Sequence, residues 1–160
     1  MAMVMMLVAA LAAQEPSVPH VRASDPRVLA LFRAGLSRSP TFRQLVDTLD
    51  HSDVIVYVEP KLTREALGGF LSHTVVTGGA YRYLHIAINT RGAEERLVAL
   101  FAHELQHAVE VAQHDDVRDE RRIRQLFDSL AIKFGCGGTS CSETQAAKDV
   151  EATVATEWKR

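Results

Sequence analysis

The stretch LVALFAHELQHAVEVAQ, residues 97–113, constrains the fold of this chain more than any other. Leu97, Leu100, Phe101, Leu105, Val109 and Ala112 recur at helical spacing, and neither glycine nor proline interrupts them. This stripe gives the helix a buried side that other elements of the fold have to cover. Its middle nevertheless carries His103, Glu104 and His107. Polar groups in a core cost free energy unless each finds a partner, so either the surrounding chain or a bound ion has to supply them.

The elements available to surround this helix are legible from the change of hydrophobic period along the chain. SDPRVLALFRAGLSRSP reads as a helix capped by Ser24 or Asp25, with Pro26 in its first turn and an apolar stripe of Val28, Leu29, Leu31, Phe32 and Leu36. SPTFRQLVDTLDHS is a second short helix, with Phe42, Leu45, Val46 and Leu49 on one side. DVIVYVEP is β-branched and aromatic, bounded by Asp53 and Pro60, and predicts a strand. GGFLSHTVVTGGAYRYLHIAINT predicts two strands joined around Gly78-Gly79. In its second arm Tyr81, Tyr83, His85 and Ala87 alternate with Arg82, Leu84, Ile86 and Ile88, so the Leu/Ile face should meet the core and the Tyr/His face should look elsewhere, into a cleft.

Asn89 and Thr90 are placed to cap the central helix, from about Ala93 to Gln113. A further helix runs roughly from Asp116 to Phe134 and stops at Gly135, and a last one from about Ser142 to Trp158. Helices, then a small antiparallel sheet, then helices again make an α+β protein, the sheet packed against a bundle of helices.

At 160 residues the chain fits one domain. A formal charge of −2 provides no field to attract phosphate backbones, and the basic run Arg121-Arg122-Ile123-Arg124 follows Asp119 and Glu120 as a solvated helix face, so no nucleic-acid partner is expected. The first thirteen residues, MAMVMMLVAALAA, are uncharged and almost wholly apolar. They are too short to span a bilayer, but they have the character of a signal-peptide core, with Ala10-x-Ala12 as a small-residue cleavage site. The expected organisation is a signal peptide over 1–13, a linker over 14–23 and a single domain over 24–160, in a protein exported to a periplasmic or extracellular compartment without a stable membrane span. Cys136 and Cys141 in GCGGTSC then suit a local disulfide, which in so small a ring contributes only about 2 kcal/mol.

On an α-helix, residues four apart lie on one face, so His103 and His107 present two imidazoles to the same point. A zinc ion needs each nitrogen at about 2.0–2.1 Å. Glu104 is turned about 100° from His103, off the ligand line, which suits a residue that handles the proton of a metal-activated water. From the chain's own composition an HExxH pattern arises by chance about 0.02 times, and its helical context is met here, so coincidence is the weaker explanation.

HELQH resembles the active-site helix of the HExxH zinc metallopeptidases, the zincins. The resemblance implies a zincin-like fold with this helix central, Zn²⁺ as cofactor, His103 and His107 as metal ligands, Glu104 as general base and a peptide or protein as substrate. YRYLHIAIN, residues 81–89, resembles the zincin edge strand that pairs with extended substrates. The metzincin pattern would need glycine and histidine where the chain has Glu110 and Gln113, and His114 lies roughly 10 Å along the helix from His107, too far to share one ion.

The arrangement therefore resembles the gluzincins, in which a glutamate from a later helix completes the site, and Glu143 in SETQAA is the first choice for it. A competing role for Glu143 is a capping box with Ser140, Glu151 is the alternative ligand, and Glu110 is a candidate for orienting a ligand imidazole. Tyr57, Tyr81, Tyr83, His85 and Arg82 are all possible donors to a developing oxyanion, with none preferred. The functional expectation is an exported zinc hydrolase, a peptidase. The alternative is a non-catalytic, zinc-stabilised binding domain with a vestigial site.

Overall fold

A computed structural model of the chain describes residues 19–61, 68–132 and 143–159. The proposed signal peptide and both cysteines lie outside the described residues. Among the described residues the fold is α+β, with five helices and a small five-stranded mixed sheet. In chain order the elements are β1 (Val21–Ala23), α1 (Pro26–Arg38), α2 (Pro40–Asp50), β2 (Val54–Pro60), β3 (Gly69–Leu71), β4 (Val76–Gly78), β5 (Tyr81–Ile88), α3 (Glu94–Ala112), α4 (Glu120–Leu130) and α5 (Gln145–Trp158).

The first two helices begin where local chemistry puts them. The Asp25 carboxylate accepts from the amides of Arg27 and Val28 at the start of α1, and the Ser39 hydroxyl accepts from Phe42 at the start of α2, each with proline in the first turn. The α2 N-terminus is also held from afar by Glu157 near the end of α5, which accepts from the Ser39 hydroxyl, the Thr41 hydroxyl at 2.8 Å and the Thr41 amide at 3.3 Å. Phe32, Phe42 and Phe101 meet edge-on or tilted and join α1, α2 and α3 into one core.

The sheet departs from the all-antiparallel expectation. Its order is β1-β2-β5-β3, with β4 also paired to β5; β1–β2 and β2–β5 are parallel, β5–β3 and β5–β4 antiparallel. Residues 21–23, expected to belong to a linker, are the first strand. The helical pair α1–α2 then returns the chain to lay β2 parallel beside it, a connection that a short turn cannot make. The turn at Gly78-Gly79 is present, with Val76 opposite Tyr83 and Gly79 at φ +59°. The first arm is split, however, so β3 and β4 pair with opposite ends of β5.

Because β5 has neighbours on both sides, it is not the edge strand that its resemblance implied; that place falls to the short β3 and β4. Its alternation reads out as expected: Arg82, Leu84, Ile86 and Ile88 are buried against the helices, while Tyr83 and His85 stack beside Tyr57 on the opposite face.

Three helix starts differ from the sequence expectation. The α3 N-cap is Ala93, without a side-chain cap, because Asn89 instead accepts from the Arg91 amide in a tight turn. The start of α4 is set by Asp119, whose carboxylate accepts from Arg122, so residues 116–119 precede the helix. The N-cap of α5 is Thr144, which accepts from the Ala147 amide. Among the described residues no helix is long and apolar enough to cross a membrane.

Candidate metal centre on the central helix

The helix α3 is buried along most of its length, and His103, Glu104, His107 and Glu110 are each less than a tenth exposed. Helix α5 packs along it and brings three polar residues to its face: Glu143 just before the helix, Thr144 at the N-cap, and Glu151 two turns in. The two imidazoles lie edge to face, their centroids 4.9 Å apart.

Each imidazole meets a carboxylate at Nδ1. His107 Nδ1 lies 2.9 Å from Glu110 Oε2, and His103 Nδ1 lies 2.9 Å from Glu151 Oε2. Such partners on the far nitrogen orient a metal-binding imidazole and raise its basicity. At the other nitrogen of His103, Glu143 Oε2 stands 3.6 Å from Nε2. Two atoms each bound to one tetrahedral zinc ion stand about 3.3–3.5 Å apart, so this separation is close to that of ligands sharing an ion.

The local structure removes the competing role for Glu143. With Thr144 capping α5, Glu143 sits outside the helix, and the capping box with Ser140 would need a helix starting four residues earlier. Its backbone carbonyl instead accepts from the Ile132 amide at 2.9 Å, beside the bridge between Ala131 and Thr144. Glu151, the alternative third ligand, lies at the orienting nitrogen of His103.

Glu104 is held from the sheet side. The Leu71 backbone of β3 favours the charged form of its carboxyl group. A Cβ on Gly69 would stand 3.2 Å from both its Cγ and its Oε1, so a side chain at residue 69 would crowd the carboxylate and push it aside by a few tenths of an ångström. Burial pushes the Glu104 carboxyl up from its ordinary value, against the pull of His107 and His103 and with repulsion from Glu143. For His103, burial works against the charged form, but the Glu143 and Glu151 carboxylates outweigh it and raise the imidazole to about 10. His103 in turn holds Glu143 and Glu151 below the usual glutamate range, with Lys148 and Arg96 adding through-space attraction.

Phe127 of α4 packs against His107 at 5.2 Å, and His73, in the break between β3 and β4, stacks on Phe127. None of the oxyanion candidates reaches this site. Tyr57, Tyr83 and His85 lie on the opposite face of the sheet, and Tyr81 packs edge-on against His20. Arg82 is wholly buried at the far end of α3.

Among the described residues no group of three or more His, Cys, Asp or Glu side chains is drawn together as a formed metal cage. The donor set nevertheless suits a zinc-like ion: two imidazoles on one helix face, each with its Nδ1 on a carboxylate, and a third donor converging on His103 Nε2. Sequence reasoning missed the parts Thr144, Leu71 and Gly69 play here. Thr144 alone left a local signal, as a hydroxyl residue preceding an apolar helical run.

No family model, curated protein or solved structure matches the chain.

Proposed function

We propose that the protein is an exported zinc-dependent peptidase, with His103, His107 and Glu143 as metal ligands and Glu104 as general base. The carrying observation is the pairing of both helical imidazoles with carboxylates at Nδ1 while Glu143 approaches Nε2 of His103. An isolated pair of packed core histidines has no need of four surrounding glutamates. A zinc ion held here supplies Lewis acidity, lowering the pKa of water towards about 7 and polarising a carbonyl.

The chain's own residues do the rest. Glu110 and Glu151 keep the rings in place. Glu104, packed against Gly69 of β3, accepts the proton of the attacking water and returns it to the leaving amine. A burial-raised carboxyl is the right kind of base for this, because a proton taken up by Glu104 is held long enough to be passed on. Export rests on the apolar first thirteen residues, and mass spectrometry of the secreted mature N-terminus checks it.

Zinc content and a broad peptide-library digest, measured on wild type and Glu104→Gln, test the function. The expected result is stoichiometric zinc in both and a loss of hydrolysis of about 10²–10⁴-fold in the variant. Full activity in Glu104→Gln removes that residue from the mechanism. Zinc bound without any cleavage favours the zinc-stabilised binding domain instead. Glu143→Ala retaining zinc at wild-type affinity places the third ligand elsewhere.

A further inference from the structure

The carboxylate behind His107 is itself held by the start of α5. Thr144 Oγ1 lies 2.6 Å from Glu110 Oε1 and 3.2 Å from the Ala147 amide. The amide can only donate, so the Thr144 hydroxyl accepts from it, and its single proton points to Glu110. A carboxylate only accepts, so the ring atom 2.9 Å from Glu110 Oε2 has to be an Nδ1–H. Every bond in this series has its direction set, from the Ala147 amide through Thr144 and Glu110 to His107. The neutral ring consistent with it carries its hydrogen on Nδ1 and a bare lone pair on Nε2, which is the form that binds a metal.

We infer that Thr144 is a positioning residue which, through Glu110, fixes the tautomer of His107 and so couples the folding of α5 to the readiness of the site. The arrangement is closed to solvent: His107, Glu110 and Thr144 are 6%, 6% and 3% exposed, so water has little access to replace a missing member. His103 is held differently. Carboxylates face both of its nitrogens and its Glu151 partner is 42% exposed, so neither ring nitrogen is singled out and water can substitute for Glu151. The two residues just before α5 therefore serve both imidazoles, Glu143 facing one and Thr144, through Glu110, the other. A metal would select a helix already docked rather than recruit a loose one.

The functional weight of this inference rests on the zinc reading above, but its test does not need zinc. Long-range ¹H–¹⁵N correlation spectra of the metal-free protein, with His107 assigned by its absence in His107→Gln, report the tautomer directly. Wild type should show His107 with hydrogen on Nδ1. Thr144→Val should move it towards the Nε2–H form and weaken zinc binding, measured by chelator competition, by about 10–100-fold, and Thr144→Ser should restore both.

Should Thr144→Val fail to fold, Glu110→Met removes the acceptor while leaving the α5 cap in place, and the same tautomer change is expected. A wild-type His107 with hydrogen on Nε2, or a tautomer that neither variant alters, overturns the inference even in a zinc-binding protein. A Thr144-dependent tautomer in a protein that binds no zinc sustains the positioning role and sinks the peptidase reading instead.

Discussion

Two buried polar clusters lie along α3, one around its C-terminal end and one on its middle turns, and they solve the problem of internal charge in opposite ways. At the C-terminal end a buried cation is saturated with acceptors, and the exposed Arg118 adds a second, looser contact to Asp53 at 3.9 Å. Arg82, wholly buried on β5, places Nε 2.8 Å from Asp53 Oδ2 and Nη2 on Asp53 Oδ1, while Nη1 donates to the carbonyls of Val111, His114 and Val117. Those carbonyls include the terminal ones that a helix leaves unpaired, at the negative end of its dipole. The middle cluster is the reverse: four glutamates, 104, 110, 143 and 151, share two imidazoles. The first cluster is electrostatically complete and structural. The second carries an excess of negative charge that a divalent cation would answer, and a protein tolerates such an excess where it has a use for it.

This contrast is open to experiment, most sharply at Arg82. Arg82→Met should cost about 3–5 kcal/mol in chemical denaturation, because it strands several buried carbonyls and leaves Asp53 with only the looser contact to Arg118. Removing a single glutamate from the middle cluster of the metal-free protein should cost far less, and equal costs would erase the distinction. Next in size is metal loading. At free zinc of about 100 times Kd the folded state should gain about 2.7 kcal/mol, seen as a rise in Tm that a chelator reverses. No gain in Tm would leave the middle cluster as unexplained as it is without a metal.

The pH response separates the clusters further. The Arg82 guanidinium, against some burial, holds Asp53 below its ordinary value of 3.8. As pH falls, the unfolded chain takes up this proton first, so the pair's contribution is complete above 3.8 and is lost as pH drops through the lower folded-state value. The difference in urea midpoint between wild type and Asp53→Asn should accordingly narrow in that acid range and stay constant above it. The smallest effect is expected at Glu151→Gln. Its side chain is about two-fifths exposed, so stability should change by no more than about 0.5 kcal/mol. Zinc affinity should fall towards the lower end of the about 10–100-fold range for orienting partners.

What could be read ahead of the structure followed how local each feature is. Helix α1 was legible with its cap, since Asp25 acts on amides two or three residues away, and α2 was legible from its apolar stripe. The two faces of β5 were legible too, because alternation is a property of one strand. Its place in the sheet was not: a strand records which face is buried, but not how many neighbours it has. Arg82 shows the same division. It alternates with the core residues Leu84 and Ile86, yet its partners Asp53 and the end of α3 lie about thirty residues away in either direction.

By itself, the sequence determined that a helix from about Ala93 to Gln113 has a buried side and that His103 and His107 share one of its faces, because both follow from a 3.6-residue period within a single element. Tertiary structure alone decided which carboxylates those imidazoles meet. Glu143 and Glu151 reach His103, and Thr144 reaches Glu110, only once α5 starts at Thr144 and docks along α3. That start was decided among several hydroxyl residues by packing and by the pairing of Ala131 with Thr144, which no local pattern encodes.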